Sequence, residues 1–194
     1  MGNAYLDTKL VDKAIIFATE AHKNSGRRAK LSPYILHPLE AMAVCETLTN
    51  EHEVLAAAVL HDTIEDTDVT YEDLKREFGD RVANIVYNES DNTLDGFTDD
   101  MPWQQRKVLS TKRITNSNLD TKMVALSDKL SNIRATYRDY KTLGDKVWDR
   151  FWVKDPSVHK WRYNELLKAL KDLEGTFAYT EFKNLVYETF KDIK

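Results

Sequence analysis

The feature that most constrains the fold of this chain is the spacing of its apolar residues, which recur every three or four positions. In the segment KLVDKAIIFATEAHK, apolar side chains form one helical stripe at Leu10, Ala14, Phe17, Ala18 and Ala21. Strict alternation of apolar and polar residues is nowhere long enough to require a sheet. With 6 glycines and 4 prolines in 194 residues, helix breakers are scarce. The sequence therefore predicts an all-α bundle of about eight to ten helices.

Length and composition are those of an ordinary globular protein. The chain is long enough to bury a substantial core, so residues 1–194 are predicted to form a single domain. Its hydrophobic fraction is 42% and its charged fraction is 31%, both close to the average for such domains. The net charge is −4 and the pI is about 5.8, so no overall basic field attracts nucleic acid or anionic lipid. We therefore expect neither DNA nor a membrane as a partner.

Cysteine usage and the first residues indicate a cellular compartment. One cysteine, Cys45, cannot form an internal disulfide and fits a reducing environment. The segment MGNAYLDTKL lacks the basic start and apolar centre of a signal peptide, and no apolar run approaches the roughly 20 residues of a membrane span. We expect a cytoplasmic protein. The sequence does not indicate its oligomeric state.

The strongest functional signal is a cluster of ionisable groups directly after the apolar run VLAAAVL. Four such side chains lie within six residues: His61, Asp62, Glu65 and Asp66. If segment 50–66 is helical to its end, the four side chains lie within about 140° on one face. A solvated acidic helix end would give the same pattern, so partners elsewhere in the chain decide between the two interpretations.

Two other segments supply groups that could complete a metal site. His37 lies where a basic loop meets a helix, and Asp128 is an acid in an otherwise apolar helix, with Asn132 one turn further on the same face. An inward-facing Asp is costly unless it is paired or bound to a metal. With His61 and Asp62 they give two imidazoles and two carboxylates. This set suits Mn²⁺, with Fe²⁺, Co²⁺ or a similar ion as alternatives, in a site with an open position rather than a structural zinc site.

The remaining polar groups indicate hydrolysis of a phosphate compound. A metal lowers the pKa of a bound water, and Glu65 and Asp66 could accept a proton from it, although helix-end solvation would also explain this pair. The basic loop 22–30 contains Arg27 and Arg28 and no acid. Guanidinium groups pair bidentately with phosphate oxygens. In an acidic protein, this loop beside a metal histidine favours a phosphate or pyrophosphate substrate over a solvated surface loop.

The chain resembles the HD-superfamily hydrolases of the RelA/SpoT type. The resemblance spans about residues 10–140 and is carried by three ordered motifs: HP at 37–38, HDxxED at 61–66 and DKLxN at 128–132. The ED pair is characteristic of the branch that hydrolyses guanosine tetraphosphate (ppGpp). The flanking patterns WxxRK at 103–107 and WxRF at 148–151 are similar to those of single-domain small alarmone hydrolases, which include the metazoan SpoT homologues.

This resemblance implies a fold, a reaction and a set of site residues. The fold is an HD domain with its core motifs within 22–140 and helices in 141–194 packed on it. The reaction is Mn²⁺-dependent removal of the 3′-pyrophosphate of (p)ppGpp, which yields GDP or GTP and pyrophosphate and lowers the alarmone level. The implied metal ligands are His37, His61, Asp62 and Asp128, the implied water-activating pair is Glu65 and Asp66, and the implied substrate contacts are Arg27, Arg28 and Asn132.

Some features depart from the family pattern or leave alternatives open. The loop NSGRRAK lacks the usual Gln and has Arg28 in place of Lys, and Ser127 stands where Ala commonly precedes DKL. The substrate could instead be another phosphorylated nucleotide, such as a ppApp-type alarmone, a nucleoside monophosphate or a pyrophosphorylated RNA end. The chain could also be a binding module that senses an alarmone without cleaving it. The acidic segment 88–103 is either a lid or a surface turn.

Overall fold

The computed structural model describes residues 7–26, 32–98 and 100–193 of the chain. These residues form ten α-helices and include no strand of a sheet. The helices are α1 Lys9–Ala21, α2 Leu36–Glu46, α3 His52–Leu60, α4 Thr63–Asp66, α5 Tyr71–Phe78, α6 Asp80–Glu89, α7 Trp103–Asn116, α8 Leu119–Leu143, α9 Pro156–Ala169 and α10 Phe177–Phe190. Short 3₁₀ segments lie at Asp91–Thr93, Gly144–Arg150 and Lys171–Leu173. The all-α prediction is confirmed.

Helix α3 forms the centre of the core. Its apolar residues Val54 and 56–60 are fully buried, which is expected of a helix that is apolar on every side. Helices α1, α2, α6 and α8 pack around it. Because three consecutive positions, 56–58, are Ala, neighbouring helices can approach closely. The end of α3 is therefore held rigidly where the chain leaves the core.

Helix α8 is the long element that organises the rest of the molecule. Its first turn is capped by the Asn118 side chain, which accepts the Thr121 N–H at 3.0 Å, and it ends at Gly144, whose φ is +58°. Helix α2 packs along one side of α8 and helix α10 along another, with α9 contacting α7 and α10. The DKLSN motif lies in the middle of α8, where Asp128 and Ser131 face α2 and Lys129 faces Glu89 of α6.

The one-face arrangement of the four ionisable groups assumed a continuous helix over 50–66, but the helix is interrupted after Leu60. The imidazole of His61 donates to the Ala58 carbonyl at 2.8 Å, and the Thr63 hydroxyl donates to the Leu60 carbonyl at 2.7 Å. In a continuous helix those carbonyls would accept from the N–H groups of residues 62 and 64. Side-chain donors therefore replace the backbone ladder, and the chain turns before the single-turn helix α4.

Local sequence signals account for the ends of two helices. A capping box starts α5, since Thr70 Oγ1 accepts the Asp73 N–H at 3.2 Å and the Asp73 carboxylate accepts the Thr70 N–H at 3.1 Å. Gly79, with φ +85°, ends that helix. Pro38 lies at the third position of α2, within the first turn, where proline is tolerated.

The C-terminal helices complete the bundle. Trp148 is buried and stacks between the rings of His159 and Phe190, with ring centroids at 5.6 and 5.5 Å. No helix in the described ranges is both long enough and apolar enough to cross a bilayer.

Candidate metal and hydrolytic site

Four potential metal-binding atoms converge where α2, α3 and α8 meet. His37 Nε2 lies 3.0 Å from Asp128 Oδ1, and His61 Nε2 lies 3.0 Å from Asp62 Oδ2. The two cross distances, His37 to Asp62 and His61 to Asp128, are both 3.5 Å. Ligand atoms bonded about 2.1 Å from one ion and 90° apart would be separated by about 3.0 Å. The ligand atoms of His37, His61 and Asp128 all lie within 4.8 Å of one another, which fits one divalent cation, and the Asp62 carboxylate lies beside both histidines.

The sequence delivers these groups from three different elements. His37 is the second residue of α2, and Asp128 lies in the middle of α8, the helix that packs along α2. His61 and Asp62 occupy the turn between α3 and α4. The interruption of the helix after Leu60 is what turns this adjacent pair towards a single point.

The histidine side chains are oriented through their Nδ1 atoms. His61 Nδ1 lies 2.8 Å from the Ala58 carbonyl, which can only accept, so Nδ1 carries a proton and Nε2 is the available ligand atom. His37 Nδ1 lies 2.9 Å from Ser131 Oγ. His61 Nε2 is buried, and it lacks a hydrogen-bond partner of suitable alignment among the described residues. A buried nitrogen of this kind, facing carboxylates, fits a metal ligand.

The electrostatics of the site also favour a cation. Burial disfavours a protonated His61, but the Asp62 and Asp128 carboxylates outweigh burial and raise the pKa of His61 well above its usual value. Burial would raise the pKa of Asp128, yet Lys129 and the two histidines hold it well below its usual value. A divalent ion could replace the proton of His61 and satisfy the same carboxylates.

Glu65 and Asp66 form the wall of the cleft beside these atoms. Burial and the neighbouring Asp91 carboxylate raise the pKa of Glu65 to about 7, and Glu65 Oε2 accepts the Asp91 N–H at 3.0 Å. Burial and Asp62 raise the pKa of Asp66. Both residues are exposed to the solvent of the cleft that they line. Glu65 is therefore placed to exchange a proton with a water molecule near neutral pH, and Asp66 lies beside it as a second acceptor.

Tyr34 connects the metal-binding group to the acidic wall. Its hydroxyl oxygen lies 2.6 Å from Asp62 Oδ2 and 2.7 Å from Asp66 Oδ2. The hydroxyl has one proton and can donate it to one carboxylate at a time. Burial and the two acids raise the pKa of Tyr34, so the phenol remains protonated. Tyr34 thus fixes Asp62 and Asp66 with respect to each other.

The converging groups lie in a cavity of about 350 Å³, a volume suited to a small ligand. Its floor includes Lys129, which contacts Asp128 and donates to Glu89 at 2.7 Å. On the far side Lys107 forms an ion pair with Asp91. The cavity is also lined by Asn132, Ala135, Thr136, Asp139, Val147, Arg150 and Phe151.

The structure brings together most of the residues that the sequence identified. The described residues that lie at the cleft are His37, His61, Asp62, Glu65, Asp66, Asp128 and Asn132. Asn132 Nδ2 donates to Asp128 Oδ1 at 2.5 Å, so its amide is oriented by a metal-binding candidate. Arg27 and Arg28, the predicted pyrophosphate contacts, lie outside the described residues.

Several residues of the cleft were not identified from the sequence. Tyr34, three positions before His37, has only its proximity in sequence as a signal. Glu89 and Asp91 belong to the acidic segment that was expected to be a lid or a surface turn, but both are buried and form part of the cleft wall. A buried acid at a helix end followed by a basic helix, here with Lys107, is a pattern that could have suggested this role.

The fold and the site define a class of protein, and sequence comparison gives its family. The HD domain family matches residues 14–151, and the chain belongs to this family. A solved structure of a metazoan orthologue of SpoT, described as hydrolysing ppGpp, has the same fold, with a TM-score of 0.71, 24% identity and 97% of each chain covered.

Particular relatives are closer in sequence. The protein from Xenopus tropicalis named guanosine-3′,5′-bis(diphosphate) 3′-pyrophosphohydrolase MESH1 is 33% identical over 91% of this chain and 92% of its own length. The Homo sapiens protein of the same name is 35% identical, with 84% of each chain covered. The similarity therefore extends over more than four fifths of both chains in each comparison.

Proposed function

We propose that the protein hydrolyses the 3′-pyrophosphate ester of (p)ppGpp, giving GDP or GTP and pyrophosphate and lowering the alarmone level. One observation carries the proposal: two imidazole nitrogens and two carboxylate oxygens converge at 3.0–3.5 Å beside a pair of carboxyl groups in a cleft. The names of the relatives from Xenopus tropicalis and Homo sapiens support the same reaction. A small nucleotide is thus the proposed partner.

The proposed cofactor is one Mn²⁺ ion, with Fe²⁺ or Co²⁺ as alternatives. Its proposed ligands are the side chains of His37, His61, Asp62 and Asp128. This donor set contains hard and borderline atoms and no thiolate, which favours such ions over a structural zinc. When bound, the ion acts as a Lewis acid that lowers the pKa of a bound water and neutralises phosphate charge.

The proposed chemical roles follow from the positions of the other side chains. Glu65 and Asp66 take the proton from the water that attacks the phosphorus atom next to the 3′-oxygen. The P–O bond to the ribose breaks, and a proton passes to the leaving 3′-oxygen as GDP or GTP departs. Asn132 contacts the nucleotide, and Arg27 and Arg28 bind the pyrophosphate through bidentate hydrogen bonds.

The cellular setting and the extent of the domain are also proposals. A buried free cysteine, Cys45, fits a reducing compartment, and we propose a cytoplasmic location on that basis. We further propose that 1–194 is a single HD hydrolase domain. The packing of α10 on α8 supports this extent.

The experiment that tests the function is release of pyrophosphate from ppGpp by purified protein, stripped with a chelator and then supplied with Mn²⁺. We expect release that depends on Mn²⁺ and is lost in Asp62→Ala. A panel with ppApp, nucleoside monophosphates and pyrophosphorylated RNA runs in parallel. Metal binding without release from ppGpp would contradict the proposed substrate, and turnover of another member of the panel would then identify the activity.

A further inference from the structure

A chain of hydrogen bonds leads away from the candidate metal site along the α2–α8 contact. His37 Nδ1 lies 2.9 Å from Ser131 Oγ, and Ser131 Oγ lies 2.9 Å from Glu40 Oε2. Ser131 is fully buried and His37 nearly so. His37 and Glu40 lie one turn apart on α2, while Asp128 and Ser131 lie one turn apart on α8. The two helices therefore meet through two adjacent polar pairs, one at the metal site and one behind it.

The direction of these hydrogen bonds follows from the protons that each group can donate. A serine hydroxyl has one proton to donate, and a carboxylate can only accept. Ser131 therefore donates to Glu40, and its lone pair is left to accept from His37 Nδ1–H. With the Nδ1 proton held in that bond, Nε2 is the ring nitrogen left to face Asp62 and Asp128.

We propose that Ser131 and Glu40 are positioning residues that hold His37 in the Nδ1–H tautomer and so make its Nε2 a metal ligand. The inference rests on the proposed metal site and extends it to two residues that do not touch the metal or the substrate. A group that hydrogen-bonds the ring nitrogen not bound to the metal commonly raises metal affinity by about 10–100-fold, because it fixes the orientation and tautomer of the histidine. Here a serine hydroxyl lies between the histidine and the carboxylate, which is an indirect form of that arrangement.

The carboxylate of Glu40 is itself held in place by the C-terminal part of the molecule. Arg134 Nη1 lies 3.4 Å from Glu40 Oε1, and Arg134 also donates twice to Glu181 of α10, with both distances 2.7 Å. The two-point contact with Glu181 orients the guanidinium towards Glu40. The chain of contacts thus ties α10 to the orientation of a ligand in α2.

The test is the Mn²⁺ affinity of the substrate-free protein, measured by competition with a chelator. Ser131→Ala should weaken Mn²⁺ binding about 10–100-fold. Ser127→Ala is the matched control: Ser127 is equally buried one turn earlier on α8, and its hydroxyl donates to the Met123 carbonyl at 2.7 Å. Its Mn²⁺ affinity should equal that of the wild type. Equal affinities for Ser131→Ala and the wild type would overturn the proposal.

Two substitutions at the partly exposed Glu40 separate hydrogen bonding from a packing defect. Glu40→Gln keeps an oxygen that accepts from Ser131, whereas Glu40→Leu has none, so Glu40→Leu should lose clearly more Mn²⁺ affinity. Equal losses would contradict the proposed relay. Circular dichroism of each variant verifies that the helices are intact before affinities are compared.

The tautomer itself can be observed by ¹⁵N–¹H NMR of the imidazole groups in the protein loaded with diamagnetic Zn²⁺. We expect a protonated Nδ1 and a metal-bound Nε2 for His37, and finding the reverse would overturn the proposal. The outcomes also distinguish this inference from the proposed function. Absence of metal binding in the wild type would refute the metal site, whereas failure with ppGpp alone would leave the result on His37 unchanged.

Discussion

Asp128 is the side chain on which most contacts of the candidate site converge. Its two oxygens face His37, His61, Lys129 and the Asn132 amide. The residue is almost completely buried, so its charge depends on these partners. Lys129 is in turn shared with the buried Glu89. Removing the Asp128 carboxylate therefore affects both the metal ligands and the balance of charges behind them.

We predict that Asp128→Ala abolishes Mn²⁺ binding and lowers pyrophosphate release by about 10²-fold or more, because one anionic ligand is lost and Lys129 is left closer to the site. Metal content after dialysis and the rate of release from ppGpp measure the two effects. Asp120→Ala is the control, since Asp120 lies on the same helix but pairs with Arg81 at 2.9 Å, away from the cleft. A variant of Asp128 that retains full metal content would show that this residue is not a ligand.

Substitutions at Glu65 and Asp66 should reduce turnover without affecting metal binding. In Glu65→Gln and Asp66→Asn the side-chain size is kept and the ability to take a proton is lost. We expect Mn²⁺ content to stay at the wild-type level while the turnover rate falls by about 10²–10⁴-fold, the usual contribution of a general base. Wild-type rates in both variants would mean that neither carboxyl group activates water.

The raised pKa of Glu65, about 7, gives a pH dependence with a definite sign. A general base acts when deprotonated, so kcat/KM should fall as the pH drops through the pKa of Glu65, by about tenfold per pH unit below it. A bound cation nearby lowers that pKa, so the midpoint should lie at or below 7. The measurement is a pH profile of kcat/KM in wild type and Glu65→Gln. If the profile of Glu65→Gln falls at low pH with the same midpoint as that of the wild type, another group is responsible for the titration.

At the scale of the elements, the sequence indicated the helices more reliably than their interruptions. Periodic apolar residues sufficed to indicate α1, because local interactions decide that element. The interruption after Leu60 depends on two side chains, His61 and Thr63, each capturing a backbone carbonyl. That competition between side chain and backbone leaves no periodic pattern in the sequence, so the interruption could be recognised only from the three-dimensional structure.

The candidate site shows the same division between pattern and packing. Motif spacing indicated the seven described site residues, since their types match a known chemistry. Tyr34, Glu89 and Asp91 enter the cleft through packing of α2 and α6 against the core, which residue spacing does not encode. A buried acid such as Glu89 can be recognised once its partner Lys129 is known to lie beside it.

The capping box of α5 offers an element-scale prediction that is independent of the site. Thr70→Ala removes the side-chain acceptor of the Asp73 N–H and should lower the free energy of unfolding by about 0.5–2 kcal/mol. Chemical denaturation measures this change. Thr115→Ala, on the exposed face of α7, is the control and should change stability by less than about 0.5 kcal/mol. Pyrophosphate release should be unaffected in both, and a large loss of activity in Thr70→Ala would show coupling between α5 and the cleft.

At the scale of the whole molecule, α8 joins the candidate site to the C-terminal helices. One side of α8 carries Asp128 and Ser131 towards α2, while α10 packs on another side through a core that includes Phe182. Phe182 is fully buried, and its ring lies 6.0 Å from that of Tyr163 in α9. If residues 1–194 form one domain, the apolar contacts of α10 and the metal site should respond to unfolding as one cooperative unit.

Phe182→Ala tests this single-domain prediction, because it creates a cavity where α10 packs against α9. It should lower the free energy of unfolding by about 3–5 kcal/mol in one thermal or denaturant transition. Mn²⁺ at 100 times its dissociation constant should raise the free energy of unfolding in that same transition by about 2.7 kcal/mol, in wild type and variant alike. Phe177→Ala, on the same helix but 79% exposed, should remain within about 0.5 kcal/mol of wild type. Two separate transitions, with Mn²⁺ acting on one and Phe182→Ala on the other, would instead divide the chain into two folding units, since a ligand stabilises only the unit that binds it.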